Sequence, residues 1–491
     1  MRQIIPIMDD EDDQKYVCHL CVKEEYLSNL IYKESGEETC HYCGQFEAAI
    51  PIGDLASHVD SAFERHFYRT SDQPTGFEYA LHADKELDYE WDRHGEPVLW
   101  AIAEAADIEE EIAQDLLDIL EEQYSDFDSA AMGEETEFDS DSRYEWKRPD
   151  DIEFQMDWKV IEDSLRNRSR YFNRTAEEFF DRLFGNLDRL VTKEDVPVIV
   201  VAGPDCETKS YFRSRVFHNT ADLEKALARP DLELGPPPSR FARAGRMNAQ
   251  GISVFYGAGD AETAMAEVRP PVGSRVLVGR FDLMKQVRLV DIQALRDLYI
   301  EGSYFDPEYL KQLELAKFLG GLSAKMTMPV MPDDEPTEYL ITQMIADYLS
   351  RTPKPGLDGM LFPSVQRKGD RANVVLFNHA SKVAQWKLPD GTRIDASTID
   401  MDEDGGEFSY HVSEIVPLAE GEDEKPRKRF DDLDELILNP VAFDDRPADM
   451  RADTLSLDPK SLHVHHIESV SFGTTDYEVT RYRRESGKLP F

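Results

Sequence analysis

Four of the five cysteines fall in two Cys-x-x-Cys turns, Cys18-His19-Leu20-Cys21 and Cys40-His41-Tyr42-Cys43, with eighteen residues between them. Each turn offers two thiolates from one tight loop, and a tetrahedral zinc ion takes four such soft ligands. The separation lies within the range of a four-cysteine zinc site. The other reading is two redox pairs or free buried thiols. A redox Cys-x-x-Cys normally opens a helix after a strand, and two at this spacing do not fit that pattern. Cys18, Cys21, Cys40 and Cys43 are therefore expected to hold one structural zinc. His19 and His41 rank below them as ligands, and Cys206 reads as a packing residue outside the site.

The chain is 491 residues long, which implies two to four domains at roughly 100–200 residues each. An apolar fraction of 41% is enough for sizeable cores and excludes wholesale disorder. No apolar run approaches the roughly 18 residues that span a bilayer. The start, Met1-Arg2-Gln3-Ile4-Ile5-Pro6 and then Asp9-Asp10-Glu11-Asp12-Asp13, resembles neither a secretory signal nor a transit peptide. With 99 acidic against 55 basic residues the formal charge is -44, a field that repels phosphate backbones and disfavours broad nucleic-acid binding. A soluble, cytoplasmic protein of several domains, with no membrane partner, is expected.

Periodicity divides the chain further. After a zinc knuckle over 1–50, residues 51–195 read as mainly α-helical. Leu55, Val59, Phe63 and Phe67 form one apolar stripe, and Ile108, Ile112, Leu116, Leu117 and Leu120 another. The acidic stretch 121–150 reads as a loop or linker. Phe172, Phe179, Phe180, Leu183, Phe184 and Leu187 mark a further helix, preceded by Arg166, Arg168 and Arg170, which read as a salt-bridged surface. Short β-branched runs alternating with helices over 196–420 predict an α+β or α/β domain. Within it Gly235-Pro236-Pro237-Pro238 reads as a rigid surface loop. A charged linker over 420–429 opens a C-terminal extension, 421–491, in which His463, His465 and His466 alternate with Val464 and Ile467 as in a strand.

Two segments carry chemistry. In the first, Arg243-Ala244-Gly245-Arg246-Met247-Asn248 precedes a predicted strand, Ile252–Tyr256, a Gly257-Ala258-Gly259 turn, and Asp260 placed to cap the next helix. Glu267 lies near the end of that helix, where the backbone dipoles disfavour a carboxylate, so it needs a compensating partner or a job, and a cationic ligand or an arginine would be suitable. A solvated surface glutamate is the alternative. In the second, Leu357-Asp358-Gly359 turns into an apolar strand that runs into Ser364, and Asn373–Phe377 reads as another core strand. No nucleophile elbow surrounds Ser364, and a lone serine after a strand is usually structural.

Gly245-Arg246-Met247-Asn248 with Tyr256, Glu267 and Asp358-Gly359…Ser364 resembles the RES-domain family, named for its Arg, Glu and Ser. Tyr211-Phe212-Arg213-Ser214-Arg215 resembles the family's first arginine segment, through Arg213 or Arg215, and Tyr339–Gln343 resembles the helix before the Asp-Gly turn. The likeness covers about 205–395. The zinc knuckle and helical region resemble the N-terminal domain of long RES proteins, sometimes grouped with HEPN domains. The resemblance implies an ADP-ribosyltransferase-like fold and an NAD-consuming enzyme of a toxin–antitoxin or defence type, acting by phosphorolysis, hydrolysis or ADP-ribosyl transfer. NAD and inorganic phosphate are then the small partners; an antitoxin or regulatory protein, and self-association, are the macromolecular ones. Glu267 would stabilise an oxocarbenium-like state, assisted by Arg246 and Ser364. Arg213, Arg215 and Arg246 would hold the pyrophosphate, Tyr256 would stack on nicotinamide, and Ser364 would bond ribose or phosphate.

Two other readings compete. Arg213-Ser214-Arg215-Val216-Phe217-His218 matches the Arg-x4–6-His signature of HEPN ribonucleases, which needs both residues on one helix. A non-catalytic, zinc-dependent interaction protein with a degenerate RES domain is the second, and the joint presence of Arg246, Tyr256, Glu267 and Ser364 speaks against it.

Overall fold

A computed structural model describes residues 14–83, 91–127, 132–170, 172–331, 333–364, 366, 372–402, 405–417, 449–471 and 473–482. The acidic start of the chain and the charged linker at 420–429 lie outside these residues. Helices and strands are mixed, so the chain is α+β. It divides into two compact units, 1–197 with 294–326, and 198–293 with 327–491.

The first unit begins with a three-stranded antiparallel sheet of β1 (Tyr16–Cys18), β2 (Glu37–Thr39) and β3 (Phe46–Pro51), with β3 in the middle. This sheet carries the cysteine turns. The helices behind it follow the apolar periods of the sequence. In helix Ile52–His66 the buried face is Leu55, Val59 and Phe63, and in Glu110–Tyr124 it is Ile112, Leu116, Leu117 and Leu120. Phe67 does not extend the first stripe. The helix ends at His66, and Phe67 opens β4 (Phe67–Arg69), where it pairs with Trp146.

The acidic stretch 121–150 is not a detached linker. The helix runs to Tyr124, Phe138 is 3% exposed, and β6 (Arg143–Trp146) lies between β4 and β5 (Glu96–Pro97). Its carboxylates have partners: Glu135 receives Arg69 and Arg93, and Glu137 accepts from the Tyr144 hydroxyl. Helix Arg174–Phe184 buries Phe179, Phe180, Leu183 and Phe184 as expected, whereas Phe172 lies before it, fully exposed with φ 56°. Residues 294–326 join this unit because Phe318 packs against Phe154, Trp158 and Phe179.

The second unit is built on a nine-stranded mixed sheet. Its strands are β8 (Ile199–Ala202), β9 (Ser210–Phe217), β10 (Phe255–Ala258), β11 (Arg275–Leu283), β12 (Val287–Asp291), β14 (Gly359–Pro363), β15 (Ala372–Leu376), β18 (Leu455–Leu457) and β19 (His463–His466). The order is β18-β11-β9-β10-β15-β14-β12-β8, and β19 pairs with β11 beside β18. Two antiparallel pairs stand outside this sheet: β7 (Val191–Thr192) with β13 (Leu298–Tyr299) in the first unit, and β16 (Arg393–Asp402) with β17 (Gly405–Ile415) in the second. Only β12 and β14 run parallel. The histidine-containing tail therefore completes one edge of the sheet, with His466 bonded to Tyr410 at 2.5 Å.

One face of the sheet packs Tyr211, Phe217, Phe255, Leu277, Phe281, Val374 and Leu376 against Leu223, Leu227 and Leu234. The proline run is not a surface loop: Gly235 is buried, and the Pro237 carbonyl accepts from Ser253 Oγ. That bond, together with Asn378 Nδ2 donating to the Ser253 carbonyl, removes 252–254 from the ladder. The strand predicted at Ile252–Tyr256 accordingly begins at Phe255.

Candidate functional site

The loop before β10 is shaped by one saturated side chain. Asn248, 5% exposed, donates from Nδ2 to the carbonyls of Arg243, Ala249 and Ile252, and its Oδ1 accepts from the Tyr256 hydroxyl at 2.8 Å. That hydroxyl also accepts from Met247 N at 3.0 Å. Gly245 fits here because a Cβ would lie 2.7 Å from Asn248 Oδ1 and 2.8 Å from the Tyr256 oxygen. The loop is then tied to helix Glu335–Arg351, where Thr342 Oγ1 donates to the Arg246 carbonyl and Gln343 Nε2 to the Gly245 carbonyl. Arg246 is thus oriented from its own backbone. Its Nη2 donates to the Met328 carbonyl at 2.7 Å, and its guanidinium lies 5.4 Å from the Tyr339 ring centre. The Tyr256 hydroxyl is engaged in holding this loop, and burial pushes its pKa up. Only its ring is left for stacking.

Glu267 is the last residue of helix Ala261–Glu267. Asp260 caps that helix as expected, accepting from Thr263 N and Thr263 Oγ1. Ser214 Oγ on β9 donates to the Ala264 carbonyl at 2.5 Å and fixes the helix against the sheet. The compensating partners of Glu267 are two neutral donors. Ser364 Oγ donates to Oε1 at 2.6 Å, and Asn373 Nδ2 donates to the same oxygen at 2.9 Å. Ser364 directly follows β14 and Asn373 sits in β15, opposite Phe362 on β14. Adjacent strands therefore direct two donors at one carboxylate. Ser364 is 8% exposed and Asn373 3%.

The Asp358-Gly359 turn supports this arrangement. A Cβ on Gly359 would lie 2.2 Å from the Val375 carbonyl oxygen, so only glycine lets β14 and β15 close. Burial works against the Asp358 charge, but His379 and the Arg288 N–H hold its carboxyl below the usual carboxylate range.

The two arginines of β9 differ in their surroundings. Arg215 Nη1 donates to the Glu233 carbonyl and carboxylate, both at 2.9 Å, and Lys225 shares that carboxylate. The side chain ties β9 to the turn at 233. Arg213 lies 5.3 Å from the Phe255 ring centre, and its Nη1 is buried with no hydrogen-bond partner among the described residues. Burial, and then repulsion from Arg215, push its pKa down to about 10, with Tyr256 within electrostatic reach. It stays charged at neutral pH. A cationic N–H group buried without a partner is costly and attracts an anion. Arg213 lies on a strand and His218 beyond its end, so the pair lacks the shared helix that the HEPN ribonuclease signature requires.

Residues 222–398 match the family model of the RES domain. The chain carries a RES domain. The match includes Arg246, Tyr256, Glu267 and Ser364 and begins after the Arg213 strand. No curated protein and no solved structure matches the chain. RES domains are known in NAD-related toxin systems. The match does not reach residues 1–197, where the likeness to HEPN domains stays an expectation. Two residues of the RES domain escaped sequence reasoning: Asn373, which has no spacing signal beyond being polar in an apolar strand, and Asn248, which lies in the motif but whose anchoring role only the geometry reveals.

The second site is the cysteine cluster. The Sγ atoms of Cys18, Cys21, Cys40 and Cys43 all lie within 4.8 Å of one another. The Cys18–Cys43 and Cys21–Cys40 separations are 3.6 and 3.8 Å. Zinc–sulfur bonds of about 2.3 Å in a tetrahedron place sulfurs about 3.8 Å apart, so the four residues are positioned to bind a metal ion and are compatible with zinc. His41 Nδ1 accepts from Tyr16 N, and His19 lies 3.8 Å from Glu47, so both histidines have other partners. Cys206 is outside the cluster. Burial pushes the Cys18 and Cys21 thiols up, so binding a cation there releases protons. Among the described residues no helix is long and apolar enough to cross a membrane.

Proposed function

We propose that this RES domain, with an ADP-ribosyltransferase-like core, consumes NAD by cleaving the nicotinamide–ribose bond. The observation that carries the reading is Glu267, held by Ser364 and Asn373 through one oxygen within a RES domain. The C1′–N bond breaks with its electron pair leaving on nicotinamide, and an oxocarbenium-like ribosyl centre develops. The Glu267 carboxylate stabilises that charge and orients the ribose hydroxyls. An oxygen of phosphate, water or a protein side chain then bonds to C1′ and releases its proton to solvent. Arg213, whose Nη1 lacks a partner among the described residues, and Arg246, oriented by its loop, supply cationic donors for the pyrophosphate against the chain's negative field. Arg215 contributes through Glu233 as a support for β9, the Tyr256 ring stacks on nicotinamide, and Ser364 acts on Glu267.

In this reading the four cysteines hold structural zinc, which cross-links the N-terminal sheet and takes no part in the reaction. The N-terminal unit regulates or assembles the enzyme, which acts in the cytoplasm as a toxin or defence effector under an antitoxin or similar partner. Mass analysis of products from purified protein and NAD, with and without phosphate, tests the proposal. Free nicotinamide with ADP-ribose, its phosphate or a protein adduct supports it, and intact NAD refutes it.

A further inference from the structure

We propose that Asn373 is a positioning residue for Glu267, engaging one carboxylate oxygen so that the other is presented to the ribose of the substrate. This rests on the NAD reading above. Both protein donors converge on Oε1, Ser364 at 2.6 Å and Asn373 at 2.9 Å, and Oε2 receives no hydrogen bond from any described residue. Two donors on one oxygen fix the rotation of the carboxylate. The orientation of the Asn373 amide follows from the same contact, since the reverse orientation would set its oxygen against the carboxylate.

The cost of this arrangement points to function rather than stability. Asn373 lies 3% exposed in a strand whose other members, Val374, Val375 and Leu376, are core residues. Its Oδ1 is buried and has no partner among the described residues. A buried acceptor without a donor destabilises a fold, because its lost hydration is not replaced. An apolar residue of the same size would remove that penalty, so retention of asparagine is explained by the bond to Glu267.

The test compares the full-length wild type with Asn373→Leu, Asn373→Asp and Ser364→Ala, measuring NAD turnover, KM and thermal stability. Asn373→Leu is expected to melt no lower than wild type while kcat falls about 10²-fold, the effect of a misplaced reacting group. KM should change less than about two-fold, because the lost interaction belongs to the transition state. Asn373→Asp keeps the shape, sets one carboxylate against another, and should lose turnover as well. Combining Asn373→Leu with Ser364→Ala should cost less than the product of the single losses, since both act through one oxygen. Wild-type turnover in Asn373→Leu, or a loss of kcat that only tracks a lowered melting point, overturns the inference while leaving the NAD reading intact. A wild-type protein that leaves NAD untouched overturns that reading and this inference with it.

Discussion

Replacing Arg213 by methionine should make the protein more stable and a poorer NAD binder. The guanidinium sits over Phe255 with Nη1 buried and without a partner among the described residues, and burial, then repulsion from Arg215, push its pKa well down from the ordinary arginine value, to about 10. A displacement of that size corresponds to about 3 kcal/mol of disfavour for the charged form in the folded state. Because the folded value lies below the unfolded one, this cost is present at every pH below about 10 and fades only as pH rises through it. Partial contact with solvent screens some of it, leaving about 1–3 kcal/mol. Methionine keeps an unbranched side chain over the Phe255 ring and can make the favourable sulfur contact. Urea unfolding of the full chain at neutral pH should therefore show Arg213→Met at least as stable as wild type. Calorimetric titration with NAD should show at least a ten-fold loss of affinity, since a charge-assisted donor to pyrophosphate is worth about 1.5–3 kcal/mol. A variant clearly less stable than wild type would mean that Arg213 has a partner and a structural role. Unchanged affinity would remove it from the binding site.

Two further outcomes concern the N-terminal unit. Purified protein should contain one zinc, and Cys40→Ser or a strong chelator should remove it and unfold the β1–β3 sheet, because structural zinc contributes about 10 kcal/mol or more to small sites of this kind; elemental analysis finding no zinc, with all four thiols titrating freely, would refute this. His66, 1% exposed with neither ring nitrogen bonded to a described residue, has its pKa pushed down to about 4 by burial and then by Arg65 and Lys147. The unfolded chain binds that proton below about 6.5, so stability is lost as pH falls from about 6.5 to 4, by up to about 3 kcal/mol. His66→Phe, packed beside Tyr304 and Tyr309, should flatten that part of the stability profile, and an unchanged acid slope would contradict the assignment.

What the sequence disclosed was what local rules govern. The spacing of the cysteine turns, the cap at Asp260 and the unease of a carboxylate at Glu267 each depend on residues a few positions apart; the four cysteines gather and Asp260 caps its helix, whereas Glu267 meets a serine and an asparagine rather than a cation. The partner of Glu267 was not legible. Asn373 is 106 residues away in sequence and becomes a neighbour only through the pairing of β14 with β15. Strand alternation could not separate Arg213 from Arg215, because residues two apart share a face; Glu233, supplied by a turn beyond the strand, does so. The aromatic positions divide the same way. Phe179 and Phe180 obey the helical period, while Phe67 and Phe172 are governed by where their helices end and begin. The excursion of 294–326 into the first unit has no local signal, since its cause is the distant packing of Phe318 on Trp158.

The most direct test is single-turnover NAD cleavage by wild type and Glu267→Gln, with NAD affinity measured on the same preparations. The substitution keeps the shape of Glu267 but removes the charge that an oxocarbenium-like centre would feel. Wild type should release nicotinamide. Glu267→Gln should bind NAD with similar affinity and cleave it about 10²–10³ times more slowly, the usual effect of losing one such electrostatic contact. Equal cleavage rates in the two proteins would contradict the role of Glu267, and intact NAD with wild type would contradict the activity itself.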